Sequence, residues 1–277
     1  MTPIITLTTD FGEKDHFIGA VKGAIYNELS DVRIVDISHG ISPFNVIEAA
    51  YIIKNAYNSF PKGSIHIIGI DSELTPENKH IALLLDEHYF ICADNGVMSL
   101  ITSELVAEKQ VVINIHDRME SDFTDTDIFV QVAAHVARGG TLEVIGKPIK
   151  EIRQLTGFKP VVNTEGDQII GSVIYIDNYG NVVTNITKRI FEEVGKGRAY
   201  EISARNYKFR AIYDRYSDAI NFDIERHRRE EDGKKLAIFN SGDFIELAIY
   251  KSNPLTVGGA SSLFGLRFRD SVTINFL

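Results

Sequence analysis

The sequence predicts an α/β protein: an N-terminal α/β domain with a largely parallel central sheet, then a smaller, antiparallel, barrel-like C-terminal β domain. In the first half, short β-branched runs alternate with amphipathic stretches, the pattern of βαβ units. From about residue 156, helix-period segments become rare and strand alternation broken by turn residues dominates. Gly157 and Pro160 interrupt the pattern. We therefore expect domains at 1–155 and 169–277, joined by a linker at 156–168.

The predicted elements follow the alternation along the chain. The strands expected in the first domain are 4–9, 32–38, 64–70, 81–85, 89–93 and 111–115. The helices expected there are 15–29, 45–58, 97–103 and 127–139, the last closed by Gly139 and Gly140. The strand-rich stretches of the second domain are 166–186, 199–213, 235–250 and 271–276, with a hairpin turn at NSGD.

Composition narrows the ligand class. The chain has 277 residues, 44% of them hydrophobic, and a net charge of −9, which disfavours nucleic acid and anionic membrane surfaces and favours a small-molecule ligand. The single Cys92 and the absence of clustered Cys/His spacing predict no metal and a reducing compartment. The N-terminus lacks a secretion-type signal and the apolar runs are short, so a cytoplasmic location is expected. The mixed charges of 226–235 indicate a solvated loop tip.

Polar residues follow three predicted strands of the first domain. Asp10 ends the first strand after Thr8 and Thr9, His39 follows the second, and Asp71 follows the third. Carboxyl ends of parallel strands share one edge, where ligands bind, so Asp10 is placed to accept hydrogen bonds from a ribose diol or an amine. A capping or turn-forming role for both aspartates is an equal alternative, and His39 is better explained as a hydrogen-bonded structural residue.

Turn residues supply the remaining candidates. The ADNG segment at 93–96 is better explained as an Asx turn than as a pocket wall. In the second domain, neutral amides and hydroxyls on turns suit a purine edge and an amino-acid carboxylate, although hairpins need the same residues. These second-domain candidates are Asp177, Tyr179, Asn181, Asn240 and Ser241.

Taken together, the ordered segments TLTTDFG, DISHGISPFNVIEAA, FPKGSIHIIGID, ADNG, DIFVQVAA, IDNYGNVVTNI and FNSG resemble the S-adenosylmethionine (SAM) hydroxide adenosyltransferases. These are hydrolase relatives of the SAM-dependent fluorinase and chlorinase. The resemblance covers essentially the whole chain. It implies a homotrimer in which the N-terminal domain of one subunit and the C-terminal domain of its neighbour close around SAM.

The resemblance also implies a reaction and roles for residues. Water or hydroxide attacks ribose C5′ and displaces methionine, so SAM is a substrate and no cofactor is required. Asp10, with Phe11 beside it, corresponds to the ribose anchor. Asp177 and Ser241 correspond to the methionine end, and Asn181 to the adenine side. Tyr179 and Asn240 belong to the same turns.

The sequence departs from the family at the nucleophile. Asp71 is retained, but Asn78 stands where an arginine is expected, with Lys79 beside it, and Thr124 stands where a histidine is expected. Thr126 replaces a second arginine, and aspartates at 122, 125 and 127 add negative charge that disfavours a halide nucleophile. Asp71, Asn78, Lys79 and Thr124 are therefore the catalytic candidates of an atypical SAM hydrolase. The alternatives are a non-catalytic SAM or adenosine binder and an enzyme acting on another 5′-substituted adenosine.

Overall fold

The computed structural model describes residues 2–102, 105–116, 125–155, 159–229, 231 and 233–277. The chain divides into two compact units, Met1–Leu155 and Thr156–Leu277. Three residues singled out from the sequence, Asp122, Thr124 and Gly157, lie outside the described residues. Across the part of the chain that is described, no helix is both long enough and apolar enough to cross a bilayer.

The first unit contains a seven-stranded sheet and five α-helices within its described residues. Its strands are β1 (Ile4–Thr9), β2 (Arg33–Ser38), β3 (Ile65–Gly69), β4 (His80–Leu85), β5 (His88–Ala93), β6 (Lys109–Ile113) and β7 (Gly146–Pro148). Its helices are α1 (Phe17–Glu28), α2 (Val46–Ala56), α3 (Val97–Ile101), α4 (Asp125–Ala137) and α5 (Leu142–Ile145).

The sheet of the first unit is mixed, with strand order β2-β1-β3-β5-β4-β6-β7. Strands β2, β1, β3 and β5 pair in parallel, as the alternating pattern predicts, whereas β4 runs antiparallel to both β5 and β6. The cause is the connection between β4 and β5. It consists of Asp86 and Glu87, which both have positive φ (49° and 60°), the conformation of a tight hairpin turn. A two-residue link can join only antiparallel neighbours.

Both faces of this sheet are covered. Helices α1 and α4 pack together, and one core contains Leu7, Ile25 and Phe129. Helices α2 and α3 pack together, and a second core contains Ile53, Phe90 and Met98. Strands β1 and β3 are accordingly buried along almost their whole length, which leaves the strand ends as the places where polar side chains are accessible.

The second unit is mostly antiparallel β. Its strands are β8 (Val161–Val162), β9 (Gln168–Ile176), β10 (Val182–Thr187), β11 (Tyr200–Ala204), β12 (Tyr207–Phe209), β13 (Ile212–Tyr213), β14 (Lys235–Phe239), β15 (Phe244–Ile249) and β16 (Ser271–Phe276). Its helices are α6 (Lys188–Gly195) and α7 (Ala260–Phe264). The strand order is β12-β11-β16-β9-β10-β15-β14-β13, with β8 beside β9, so residues 161–162 of the expected linker are part of this sheet. The predicted mostly β second half is confirmed.

Candidate functional site

The carboxyl ends of three neighbouring strands bring the first-unit candidates to one edge. Strand β1 lies between β2 and β3, with Thr8 opposite Ser38 and Thr9 opposite Gly69. Asp10 directly follows β1, and Asp71 comes two residues after Gly69. The common edge expected for the two aspartates is therefore present.

Asp10 is tied to a strained turn. Its Oδ2 accepts a hydrogen bond from the backbone N–H of Phe44 at 2.8 Å. Phe44 has φ of 61°, unusual for a bulky residue, and its side chain is 73% exposed. Strained backbone of this kind is concentrated at functional sites, so this turn is a candidate for ligand contact. The ring of Phe11, the other first-unit candidate for binding, lies over Gly69, where an added Cβ would be 3.3 Å from Phe11 Cζ.

His39 is a structural residue, as the sequence favoured. Its Nδ1 is 2.8 Å from Thr9 Oγ1, and the residue is 5% exposed. Its Nε2 is 3.1 Å from Asp36 Oδ1, an ion-pair distance at which the ring nitrogen is not aligned for a hydrogen bond. Burial raises the pKa of Asp36, but the contacts with Lys22 and His39 outweigh it and hold that pKa below its usual value. His39 thus links β1 to β2 beneath the candidate site.

The loop after β3 holds Asp71 in a left-handed conformation. Asp71 has φ of 43°, and its side chain is exposed. Asn78, 9% exposed, donates from Nδ2 to the carbonyls of Asp71 (2.8 Å) and Glu73 (3.0 Å). Its backbone exchanges hydrogen bonds with Thr75. In this geometry Asn78 fixes the loop and supports Asp71 from within, while Lys79 is exposed beside it.

Two histidines missed by sequence reasoning, together with the asparagine of the ADNG turn, support the same loop. His80, fully buried, places Nε2 2.8 Å from the Ser72 carbonyl, and His116 Nε2 is 3.0 Å from His80 Nδ1. Asn95 donates to the Ile70 carbonyl at 2.7 Å and accepts from Val97 N–H, which confirms the Asx turn at ADNG. The carbonyls on both sides of Asp71 are therefore fixed by buried side chains.

Replacing Asn78 tests its loop-fixing geometry. Asn78→Asp puts a carboxylate oxygen against two carbonyl oxygens, so it should destabilise the first unit more than Asn78→Ala, which should cost about 1–3 kcal/mol. The free energy of unfolding, measured by urea denaturation, checks the order. Asn55→Ala is the control, because Asn55 makes an exposed amide-to-carbonyl bond to Tyr51 in the same unit. A smaller loss for aspartate than for alanine would contradict the assignment.

In the second unit, Asp177 organises the turn between β9 and β10. Its Oδ1 accepts from the backbone N–H groups of Tyr179 and Asn181, both at 2.8 Å, and its Oδ2 accepts from Asn181 Nδ2 at 2.9 Å. Asn181 is 5% exposed, whereas Tyr179 is 65% exposed. Gly180 permits the close approach of Gly259, since a Cβ on Gly180 would be 2.9 Å from the Gly259 Cα.

The second candidate turn connects β14 and β15. Asn240 Oδ1 accepts from the N–H groups of Gly242 (3.0 Å) and Phe244 (3.1 Å), and its Nδ2 donates to Glu246 at 3.2 Å. Ser241 is exposed at the tip. The hairpin predicted from NSGD is confirmed. Glu246 was missed, although a lone acidic residue inside the apolar run FIELAI was a signal that could have found it.

Carboxylates at the carboxyl ends of the strands in an α/β unit, together with a separate β unit that carries Asp/Asn turns, are features typical of proteins that bind small molecules. Residues 5–146 match the SAM hydroxide adenosyltransferase N-terminal domain, and residues 171–273 match the C-terminal domain of that family. The chain therefore belongs to the SAM hydroxide adenosyltransferase family, which confirms the family predicted from the ordered motifs.

Individual relatives agree with this membership. The chain is similar to the (R)-S-adenosyl-L-methionine hydrolase of Methanocaldococcus jannaschii, with 28% identity over 98% of this chain and 95% of the relative. It is 25% identical to the fluorinase of Actinopolyspora mzabensis, over 70% and 75% of the two chains. A crystal structure of an uncharacterized conserved protein from Thermotoga maritima has a TM-score of 0.80 and 27% identity, covering 98% of this chain and 99% of that one.

Proposed function

We propose that this protein hydrolyses SAM to adenosine and L-methionine. The observation that carries the proposal is Asp71, held at φ of 43° on the same sheet edge as Asp10, in a chain that matches both domains of the family. An oxygen of water forms a bond to ribose C5′ while the C5′–S bond breaks. The electron pair goes to sulfur, so the sulfonium leaves as the neutral thioether of methionine, and the proton that the water loses is released to the solvent.

Asp10 would bind the ribose hydroxyls. A carboxylate has about four lone-pair positions, and Phe44 N–H occupies one of them at Oδ2. Among the described residues no other polar partner contacts Asp10, so acceptor positions remain for a vicinal diol. Phe11 and the exposed ring of Phe44 would cover the apolar faces of the sugar and base.

Asp177 and Ser241 would bind the amino-acid end. Three hydrogen bonds within its own turn fix the Asp177 carboxylate, and one acceptor position remains for an ammonium group. Ser241 supplies an exposed hydroxyl for the carboxylate. Asn181 would lie on the adenine side of the ligand. Tyr179 and Asn240 would belong to the turns that carry Asp177 and Ser241. SAM enters as substrate, and the reaction needs no cofactor.

At the nucleophile, Asp71 would orient the attacking water. Asn78 directs its amide nitrogen into the loop, so its contribution would be to hold Asp71, and Lys79 is the exposed cation beside it. Sulfonium is a good leaving group, so alignment and desolvation of the water supply most of the rate. A direct role for Thr124 stays a prediction, as do the homotrimer, which light scattering would check, and the cytoplasmic location.

Asn78 stands where the family has an arginine, so this position carries no cation, and its amide group is bonded within its own loop. This favours a second candidate function, a non-catalytic SAM or adenosine binder. Incubating the protein with SAM in H₂¹⁸O and analysing products by mass spectrometry separates the two. Hydrolysis gives methionine and adenosine labelled at the 5′ oxygen, at a rate that falls roughly 10²- to 10⁴-fold in Asp71→Ala. Equal amounts of product from wild type and Asp71→Ala would overturn the proposed hydrolase activity. SAM binding without product would establish the binder, and conversion of another 5′-substituted adenosine alone would identify the third alternative.

A further inference from the structure

Glu246 is a buried carboxylate in the middle of the second unit. It is 4% exposed on β15, opposite Val183 of β10 and Ile238 of β14. Its Oε1 accepts from the Tyr216 hydroxyl at 2.5 Å, and its Oε2 accepts from Asn240 Nδ2 at 3.2 Å. Within the described residues no lysine, arginine or histidine comes within ion-pair distance of it. Both hydrogen bonds that Tyr216 and Asn240 donate to the carboxylate come from neutral groups.

The charged group that acts on Glu246 is another carboxylate, Asp177. Burial raises the pKa of the Glu246 carboxyl, the hydrogen bonds from Tyr216 and Asn240 lower it, and the negative charge of Asp177 raises it, with a net increase. A group that resists ionisation because of burial and a like charge gains stability when a cation approaches. Asp177 and Glu246 together therefore favour a positively charged ligand group near them.

Glu246 also determines how the Ser241 turn is presented. By accepting from Asn240 Nδ2, it orients that side-chain amide so that Oδ1 accepts from Gly242 and Phe244. Glu246 thus contacts one candidate turn directly through Asn240, and the negative charge of Asp177 in the other turn contributes to raising its pKa. A glutamate that only filled the core would need neither connection.

We propose that Glu246 is a specificity-determining residue that selects ligands with a positively charged end, acting through the orientation of Asn240 and jointly with the charge of Asp177. This inference rests on the proposed function, because SAM carries a sulfonium and an ammonium group whereas adenosine carries no charge. Glu246 acts on the ligand from a distance and takes no part in the bond-breaking step.

Calorimetric titration of the full chain with SAM and with adenosine tests the proposal. Measurements are made in the Asp71→Ala background, so that turnover does not consume SAM. Glu246→Gln keeps the shape and removes the charge. It should weaken SAM binding roughly tenfold, the scale of one charge acting over several ångströms through partly solvated protein, while adenosine binding changes less than twofold. Tyr216→Phe, which leaves the carboxylate in place, should keep most of the preference for SAM.

Glu192→Gln is the matched control, since it removes one exposed negative charge from α6 of the same unit. Equal losses for SAM and adenosine in Glu246→Gln would overturn the proposal and assign a purely structural role. Should Glu246→Gln fail to fold by circular dichroism, Tyr216→Phe decides, because a loss of the SAM preference with the charge still present would contradict it. If the Asp71→Ala protein binds neither ligand, the proposed function fails instead, which is a separate outcome.

Discussion

Asp10→Asn is expected to lower kcat/KM for SAM by roughly 10²- to 10³-fold. The asparagine oxygen can still accept from Phe44 N–H, so the local turn is preserved. It loses the negative charge and an acceptor, and hydrogen bonds between a charged group and two ribose hydroxyls contribute about 1.5–3 kcal/mol each. Steady-state kinetics with SAM, together with the affinity for adenosine, measures the loss.

The adenosine affinity is decisive, because a ribose anchor is used by both ligands. Asp10→Asn should therefore weaken adenosine and SAM in parallel, unlike the Glu246 variant. Asp31→Asn is the control: it removes a carboxylate of the same unit that lies before β2, at the other end of the strand pair, and that accepts a hydrogen bond from Thr2. Unchanged adenosine binding in a folded Asp10→Asn protein would refute the ribose role.

His66→Asn is expected to remove a large part of the acid sensitivity of the first unit. His66 and His88 are both almost fully buried, with Thr6 Oγ1 2.7 Å from His66 Nδ1 and His66 Nε2 3.1 Å from His88 Nδ1. Burial, with a smaller effect of His88, lowers the pKa of His66 from 6.5 to about 3. The folded chain therefore binds fewer protons than the unfolded chain between these values. Stability is fully present above pH 6.5 and is lost as the pH falls towards 3.

The expected size follows from the shift. The stability lost through His66 approaches about 5 kcal/mol in the limit, of which about 3 kcal/mol falls between pH 7 and pH 4. Denaturant titrations at a series of pH values should show that the free energy of unfolding changes clearly less with pH in His66→Asn than in wild type. The exposed His16, replaced by glutamine, is the control. An identical dependence of the free energy of unfolding on pH in wild type and His66→Asn would show that His66 does not dominate the acid sensitivity.

Local pattern predicted most of the fold because it records burial directly. The runs rich in β-branched residues at β1 and β3 are buried strands, and the helical spacing of 45–58 yields α2, which Asn45 caps by accepting from Glu48 N–H. The reversal of β4 was not predicted. It depends on Asp86 and Glu87 adopting positive φ without the Asn-Gly signature, a choice that the pairing of β4 with β5 and β6 imposes.

The residues of the candidate site also divide into those that the sequence predicted and those that only the folded structure shows. Asp10 and Asp71 could be found from the sequence, because residues that follow parallel strands must share an edge of the sheet. The side chains that fix the Asp71 loop could not, since His80 and Asn95 contact the carbonyls of Ser72 and Ile70, and His116 contacts the His80 ring from a distant part of the chain. The same holds for Glu246, whose partners Tyr216 and Asn240 meet it only after β14 and β15 have paired.

The sequence by itself determined the class of protein, the order of its two units, its family, and the position of Asp10 at the carboxyl end of a strand. These properties depend on periodicity and ordered motifs, which are local. Only the tertiary structure decided that Asn78 faces into its own loop, that Asp71 is held at positive φ, and that Glu246 supports the Ser241 turn. Each of these depends on which donors and acceptors burial brings together, and that is a property of the folded chain.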